Sequence, residues 1–190
     1  MDKIMKRMAL FSAAITILCT AFHLYTGEGI ALTLAVTFGT TSYHFIMRLL
    51  VGFSVNLLLD NHVDYQRRWF RMSAAEQKLY RKIRVKKWKG RMATYDPSCF
   101  DSRIHTWDEI AQAMCQAELV HELIVVFSFV PVFASIPFGA LPVFVVTSVL
   151  SACYDAMFVI MQRYNRPRII KLIERQGNLT RNAAHDSDHA

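Results

Sequence analysis

At 190 residues, with 53% hydrophobic and only 19% charged positions, the chain has room for one domain and is too apolar for an ordinary water-soluble one. Its net charge of +7 raises nucleic acid or a membrane surface as partners. The four cysteines, Cys19, Cys99, Cys115 and Cys153, lack metal-ligand spacing and are expected as reduced, structural thiols.

The apolar residues come in runs. A bilayer core of roughly 30 Å needs about 20 apolar residues of helix, and residues 8–25, 30–59, 119–136 and 141–160 approach that length. The expected fold is all-α: an integral membrane bundle of four transmembrane helices with a basic helical cytoplasmic loop over 60–117. Residues 1–176 form one membrane domain, and the polar tail 177–190 is expected to be disordered. Lys3, Lys6 and Arg7 precede the first span, while Arg163, Arg166, Arg168 and Lys171 follow the last. Twelve further Lys and Arg lie between Arg67 and Arg103, and the connections 26–29 and 137–140 contain none. The positive-inside rule therefore places both termini and the central loop in the cytoplasm.

The first span follows a basic start but is followed by no small-x-small cleavage site, so it reads as an anchor. His23 near its outer end is an interfacial residue beside Tyr25. In the second span His44, Arg48, Gly52 and Asn56 follow at steps of four, a polar or small stripe on one helix face. A rise of about 1.5 Å per residue puts His44 roughly 21 Å and Arg48 roughly 27 Å into the core. Gly52 suggests close approach of a helix or ligand. Arg48 either faces a partner or snorkels to cytoplasmic phosphates.

Ser73 with Glu76 forms a capping box that opens a helix through Lys89. Its Leu79, Ile83 and Trp88 among many basic residues fit a helix lying on an anionic leaflet rather than on nucleic acid. A turn is expected at 95–98. Thr106 with Glu109 is a second capping box, starting a helix that is expected to run unbroken to Pro131. Glu118, His121 and Glu122 share one face of it, as a functional site or as a snorkelling fringe. In the fourth span Asp155 lies roughly 21 Å from Leu141. The segment that follows, 162–168, brings Asn165 and Arg166.

These polar residues share the cytoplasmic half of the spans, where antiparallel helices can satisfy one another's charges. Glu118-x-x-His121 is half of a di-iron bundle pattern present in one copy, so no metal is expected. His121 is the natural general base, with Glu118 one turn back to orient it. Arg48 suits an oxyanion or a phosphate. His44, Asn56, Glu122, Asp155, Asn165 and Arg166 complete the expected substrate-binding set. No nucleophile elbow is present and Val126 stands five positions after His121 where a soluble-type acyltransferase has Asp, so direct transfer to an acceptor hydroxyl is expected.

Three stretches, Tyr80–Lys89 (YRKIRVKKWK), Glu118–Glu122 (ELVHE) and Gln162–Ile169 (QRYNRPRI), resemble the bacterial glycosyl-4,4'-diaponeurosporenoate acyltransferase family. The resemblance implies a multi-pass enzyme of the bacterial cell membrane that moves a fatty acyl group onto a sugar hydroxyl of a glycosylated carotenoid or related glycolipid. An acyl thioester would be the co-substrate, with no bound cofactor, and membrane lipids, a lipid-like acceptor and the acyl donor would be the partners. The rival is a non-enzymatic four-span protein that binds lipid or another protein through its basic loop.

Overall fold

The computed structural model describes residues 2–88, 90, 92, 97–139 and 141–187. Among them every regular element is helical: α1 (Asp2–Thr26), α2 (Gly29–Leu59), α3 (Ala74–Lys82), α4 (Val85–Trp88), α5 (Trp107–Phe127), α6 (Ser135–Phe138) and α7 (Leu141–Ser187), with 3-10 turns at Arg68–Phe70, Pro97–Phe100 and Val130–Ala134. Lys3–Thr26, Gly29–Leu59, Trp107–Phe138 and Leu141–Asn182 are each long and apolar enough to cross a membrane. Leu18, Phe53, Leu58, Phe133 and Leu150 are exposed, which suits hydrocarbon as their solvent. Half of the expected 95–98 turn, residues 95 and 96, lies outside the described residues.

The chain divides into two compact units. The first comprises Met1–Leu58 and Val120–Met157. Here α1 and α2 pack closely at Gly39, where an added Cβ would lie 3.4 Å from Thr16 Cγ2. The Ser42 hydroxyl donates to the Ala9 carbonyl at 3.3 Å. Gly52 corrects the sequence reading: a Cβ there would meet nothing within 4 Å, so it marks no close helix approach. Gly52→Ala should therefore leave the melting temperature unchanged or raise it, because Ala is favoured over Gly in a helix by about 1 kcal/mol. Gly39→Leu should lower it, since overpacking costs about 1–3 kcal/mol. Thermal unfolding of both variants in detergent checks the pair.

The expected unbroken helix to Pro131 is also corrected. Helix α5 ends at Phe127 and a 3-10 turn begins at Val130. Proline has no N–H to donate and its ring crowds the carbonyl four residues back, which is that of Phe127. That carbonyl is taken instead by the Tyr43 hydroxyl at 2.9 Å.

The second unit comprises Leu59–Leu119 and Phe158–Ala190. Its core is Val63, Phe70 and Cys115, packed by Leu59, Tyr65 and Leu119. Helix α2 stops where Asp60 and Asn61 take φ of 42° and 59°, a left-handed ending that these two residue types tolerate. Both capping boxes form: Ser73 with Glu76, and Thr106 with Glu109 through bonds of 2.8 and 3.3 Å. The expected continuous basic helix is instead broken at Arg84, whose φ is +54°. The break lets both Tyr80 and Val85 be buried. Helix α7 passes through Pro167 and continues to Ser187, beyond the point where disorder was expected. Once a helix is nucleated each added residue gains a hydrogen bond, so propagation is cheap.

Candidate functional site

Within the first unit three helices bring a polar cluster together. Helix α2 supplies His44 and Arg48, one turn apart. Helix α5 supplies His121, with Ser128 just past its end, and α7 supplies Ser148, Ser151 and Asp155. The Arg48 guanidinium donates to the His44 carbonyl at 3.0 Å and to Ser151 Oγ at 2.8 Å, and forms an ion pair with Asp155 Oδ2. The other oxygen of Asp155 meets His121 Nδ1 at 3.0 Å. The Asp155 side chain is 1% exposed and that of His121 21%. The Arg48 cation and the Asp155 anion compensate each other, as buried charges must in an apolar setting.

This geometry fixes the chemistry of the imidazole. An ionised carboxylate only accepts hydrogen bonds, so His121 Nδ1 carries the proton facing Asp155. The lone pair of the neutral ring then resides on Nε2, the atom able to take a proton from an acceptor group. A carboxylate in this position also stabilises the imidazolium that forms. Arg48 supplies positive charge beside the same oxygens.

His44 lies on the far side of Ser151. Its Nδ1 is 3.2 Å from Ser151 Oγ, which is also 3.0 Å from Ser128 Oγ. Helical spacing explains why α7 can present all three of its polar groups, since positions 148, 151 and 155 fall on one face. The serines were not singled out in the sequence because a hydroxyl in an apolar span usually bonds back to its own helix. The available signal was their period with Asp155.

Glu118, expected to orient His121, is instead a member of a second cluster, in the second unit. It is fully buried and accepts from Arg163 Nε at 2.8 Å and from Arg166 Nη2. Arg163 also donates to Glu76 and to the Trp69 carbonyl. Arg166 donates to the Phe70 carbonyl at 2.7 Å and lies 5.0 Å over the Phe70 ring. Two guanidiniums and two carboxylates thus bind α3, the 68–70 turn, α5 and α7 together. Arg166 was expected to touch substrate; at 1% exposure it serves this clamp. Arg163 stood in the sequence only as one of several flanking charges. Of the remaining expected residues, Asn56 is exposed, and Glu122 and Asn165 are half-buried.

Glu76 makes the clamp sensitive to acid. Burial works to raise its carboxyl, but the Ser73 hydrogen bonds and the Arg163 charge outweigh that and hold it below the ordinary 4.5. A depressed folded value means that its contribution is complete above pH 4.5 and is lost as pH falls through the lower folded value. Melting temperature should therefore drop on acidification below pH 4.5, and Glu76→Gln should flatten that slope.

The second unit also contains a cleft of about 420 Å³ lined by Asp60, Asn61, His62, Cys99, His105 and Glu109, among others. Among the described residues no group of three or more His, Cys, Asp or Glu has metal-binding geometry.

A family model described as glycosyl-4,4'-diaponeurosporenoate acyltransferase matches residues 62–175. The match takes in His121, Ser151, Asp155 and the clamp; His44 and Arg48 precede it. No curated protein matches the chain, and no solved structure does.

Proposed function

The chain belongs to the glycosyl-4,4'-diaponeurosporenoate acyltransferase family, and on that premise we propose that it transfers a fatty acyl group from an acyl thioester to a sugar hydroxyl of a glycosylated carotenoid or related glycolipid. His121 Nε2 removes the proton of the acceptor hydroxyl as its oxygen attacks the acyl carbon. Asp155 keeps the ring in the required tautomer and stabilises its cation. Arg48 offsets negative charge on the oxygen of the tetrahedral intermediate. The observation that carries this reading is the Asp155 carboxylate held between Arg48 and His121 Nδ1, the latter at 3.0 Å. Such an arrangement suits a base that must work in a dry setting.

The reading includes an orientation with both termini and the basic segment in the cytoplasm of a bacterial cell, supported by the absence of Lys and Arg from the connections 26–29 and 137–140. The acyl chains of donor and acceptor would then approach through the lipid. Protein reconstituted in nanodiscs should acylate glycosyl-4,4'-diaponeurosporenoate when given a radiolabelled long-chain acyl-CoA. His121→Ala should cut the rate by about 10²–10⁴-fold, the usual worth of a general base. A His121→Ala enzyme that transfers at the wild-type rate would sink the mechanism. Wild-type protein that acylates nothing would favour a structural role for the cluster.

A further inference from the structure

We propose that Ser151 carries the acyl group as a covalent ester before the acceptor receives it, with His44 as its proton relay; this rests on the acyl-transfer reading above. The sequence, lacking a nucleophile elbow, pointed to direct transfer. The structure brings together what a nucleophilic serine needs from two separate helices. Arg48 Nη2 donates to Ser151 Oγ at 2.8 Å, so one lone pair is fixed and negative charge on that oxygen is favoured. The hydroxyl proton has two acceptors within reach. Ser128 Oγ is at 3.0 Å and His44 Nδ1 at 3.2 Å. Ser128 spends its own proton on the Ile124 carbonyl at 2.8 Å, so it can accept a hydrogen bond here, but a hydroxyl is too weak a base to keep the proton. The imidazole is the stronger base and takes the proton when the oxygen attacks.

A second observation points to a ligand at the same place. His44 is 8% exposed and Ser148 fully buried, and among the described residues neither His44 Nε2 nor Ser148 Oγ has a hydrogen-bond partner. Leaving a buried polar atom unsatisfied is costly. One of these atoms belongs to the ring that meets Ser151 and the other lies one helical turn before Ser151 on α7, and together they suit the polar end of an acyl thioester. With Nδ1 facing Ser151, the His44 proton resides on Nε2.

The steps balance as follows. Ser151 Oγ bonds to the thioester carbonyl carbon as its proton moves to His44 Nδ1. The C–S bond then breaks, and the sulfur leaves as a thiol with the Nε2 proton of the His44 cation. In the second half, the acceptor oxygen bonds to the acyl carbon and its proton goes to His121 Nε2. The bond from that carbon to Ser151 Oγ breaks as Oγ takes the Nδ1 proton of His44. His44 Nε2 regains a proton from water and His121 Nε2 releases its extra proton to water, so both rings return to their starting tautomers. Nothing is oxidised or reduced.

The test uses the full chain in nanodiscs with radiolabelled palmitoyl-CoA and no acceptor. Quenched and digested wild-type protein should show a palmitoyl adduct on the peptide containing Ser151, and adding glycosyl-4,4'-diaponeurosporenoate should discharge it. Ser151→Ala should lose the adduct and slow transfer on the order of 10³-fold, with a melting temperature that confirms folding. Ser151→Cys should take a label that neutral hydroxylamine removes. His121→Ala should keep the label yet fail to discharge it. Transfer by Ser151→Ala at the wild-type rate, or wild-type turnover with no adduct at any time, overturns the covalent step and leaves the acyltransferase reading standing. Wild-type protein that neither labels nor transfers overturns both.

Discussion

Glu118→Gln is expected to lower the melting temperature of the detergent-solubilised protein by on the order of 10 °C while transfer at low temperature stays within a few-fold of wild type. The Glu118 carboxylate is fully buried and holds two guanidiniums. Removing one partner of a buried ion pair costs about 3–5 kcal/mol, because the opposite charge is left without compensation. In a chain of this size each kcal/mol is worth about 2–4 °C. Arg163 retains Glu76, whereas Arg166 retains only the Phe70 carbonyl and ring among its contacts described above, so Arg166 bears most of the loss. A Glu118→Gln protein with wild-type stability and no activity would reverse this assignment and restore Glu118 to the chemistry.

The second large effect falls on rate. Asp155→Asn keeps the shape of the side chain but removes the charge that sets the His121 tautomer and steadies its cation. An amide can turn its NH₂ toward Nδ1 and leave the ring with its proton on the wrong nitrogen. The comparable change in a serine protease triad costs about 10⁴-fold, and a loss of 10³–10⁴-fold is expected here. The same substitution also strands Arg48, so stability should fall by about 3 kcal/mol or more. Adding Arg48→Met should separate the two effects. With no cation left to compensate, the double variant should regain most of the stability and none of the rate. Recovery of both would show that neither Asp155 nor Arg48 takes part in the chemistry and that the two serve only as each other's counter-ion.

The four spans were legible because apolar runs of sufficient length have few other uses, and the capping boxes because their spacing is dictated by the first turn of a helix. The matching level of two charges was legible as well. A rise per residue alone put Arg48 and Asp155 in the same half of the core, and they form an ion pair. Partner choice was not legible. Glu118 lies one turn before His121, which suggests a pair, but proximity on a helix does not decide where a carboxylate goes when two guanidiniums from α7 also reach it. Arginine's planar fork makes more and better bonds than an imidazole. Ser151 was hidden for a different reason: a lone hydroxyl in an apolar run has no signature until another helix sets a histidine beside it. The end of α5 was misjudged because the effect of Pro131 falls on a carbonyl four residues upstream, not on its own position.

That displaced carbonyl has a consequence for alignment. Pro131 denies the Phe127 oxygen its helical donor, and the Tyr43 hydroxyl of α2 takes it at 2.9 Å. Tyr43 directly precedes His44, so the bond acts as a locating pin that sets how far α2 can slide along α5. A slip of one helical turn is about 5.4 Å. It would carry His44 and Arg48 past Ser151 and Asp155 without altering a single residue in either group. The vertical registration of the proposed reacting groups thus depends on a proline and on a phenol whose ring packs edge-on against His44, 5.5 Å between centroids.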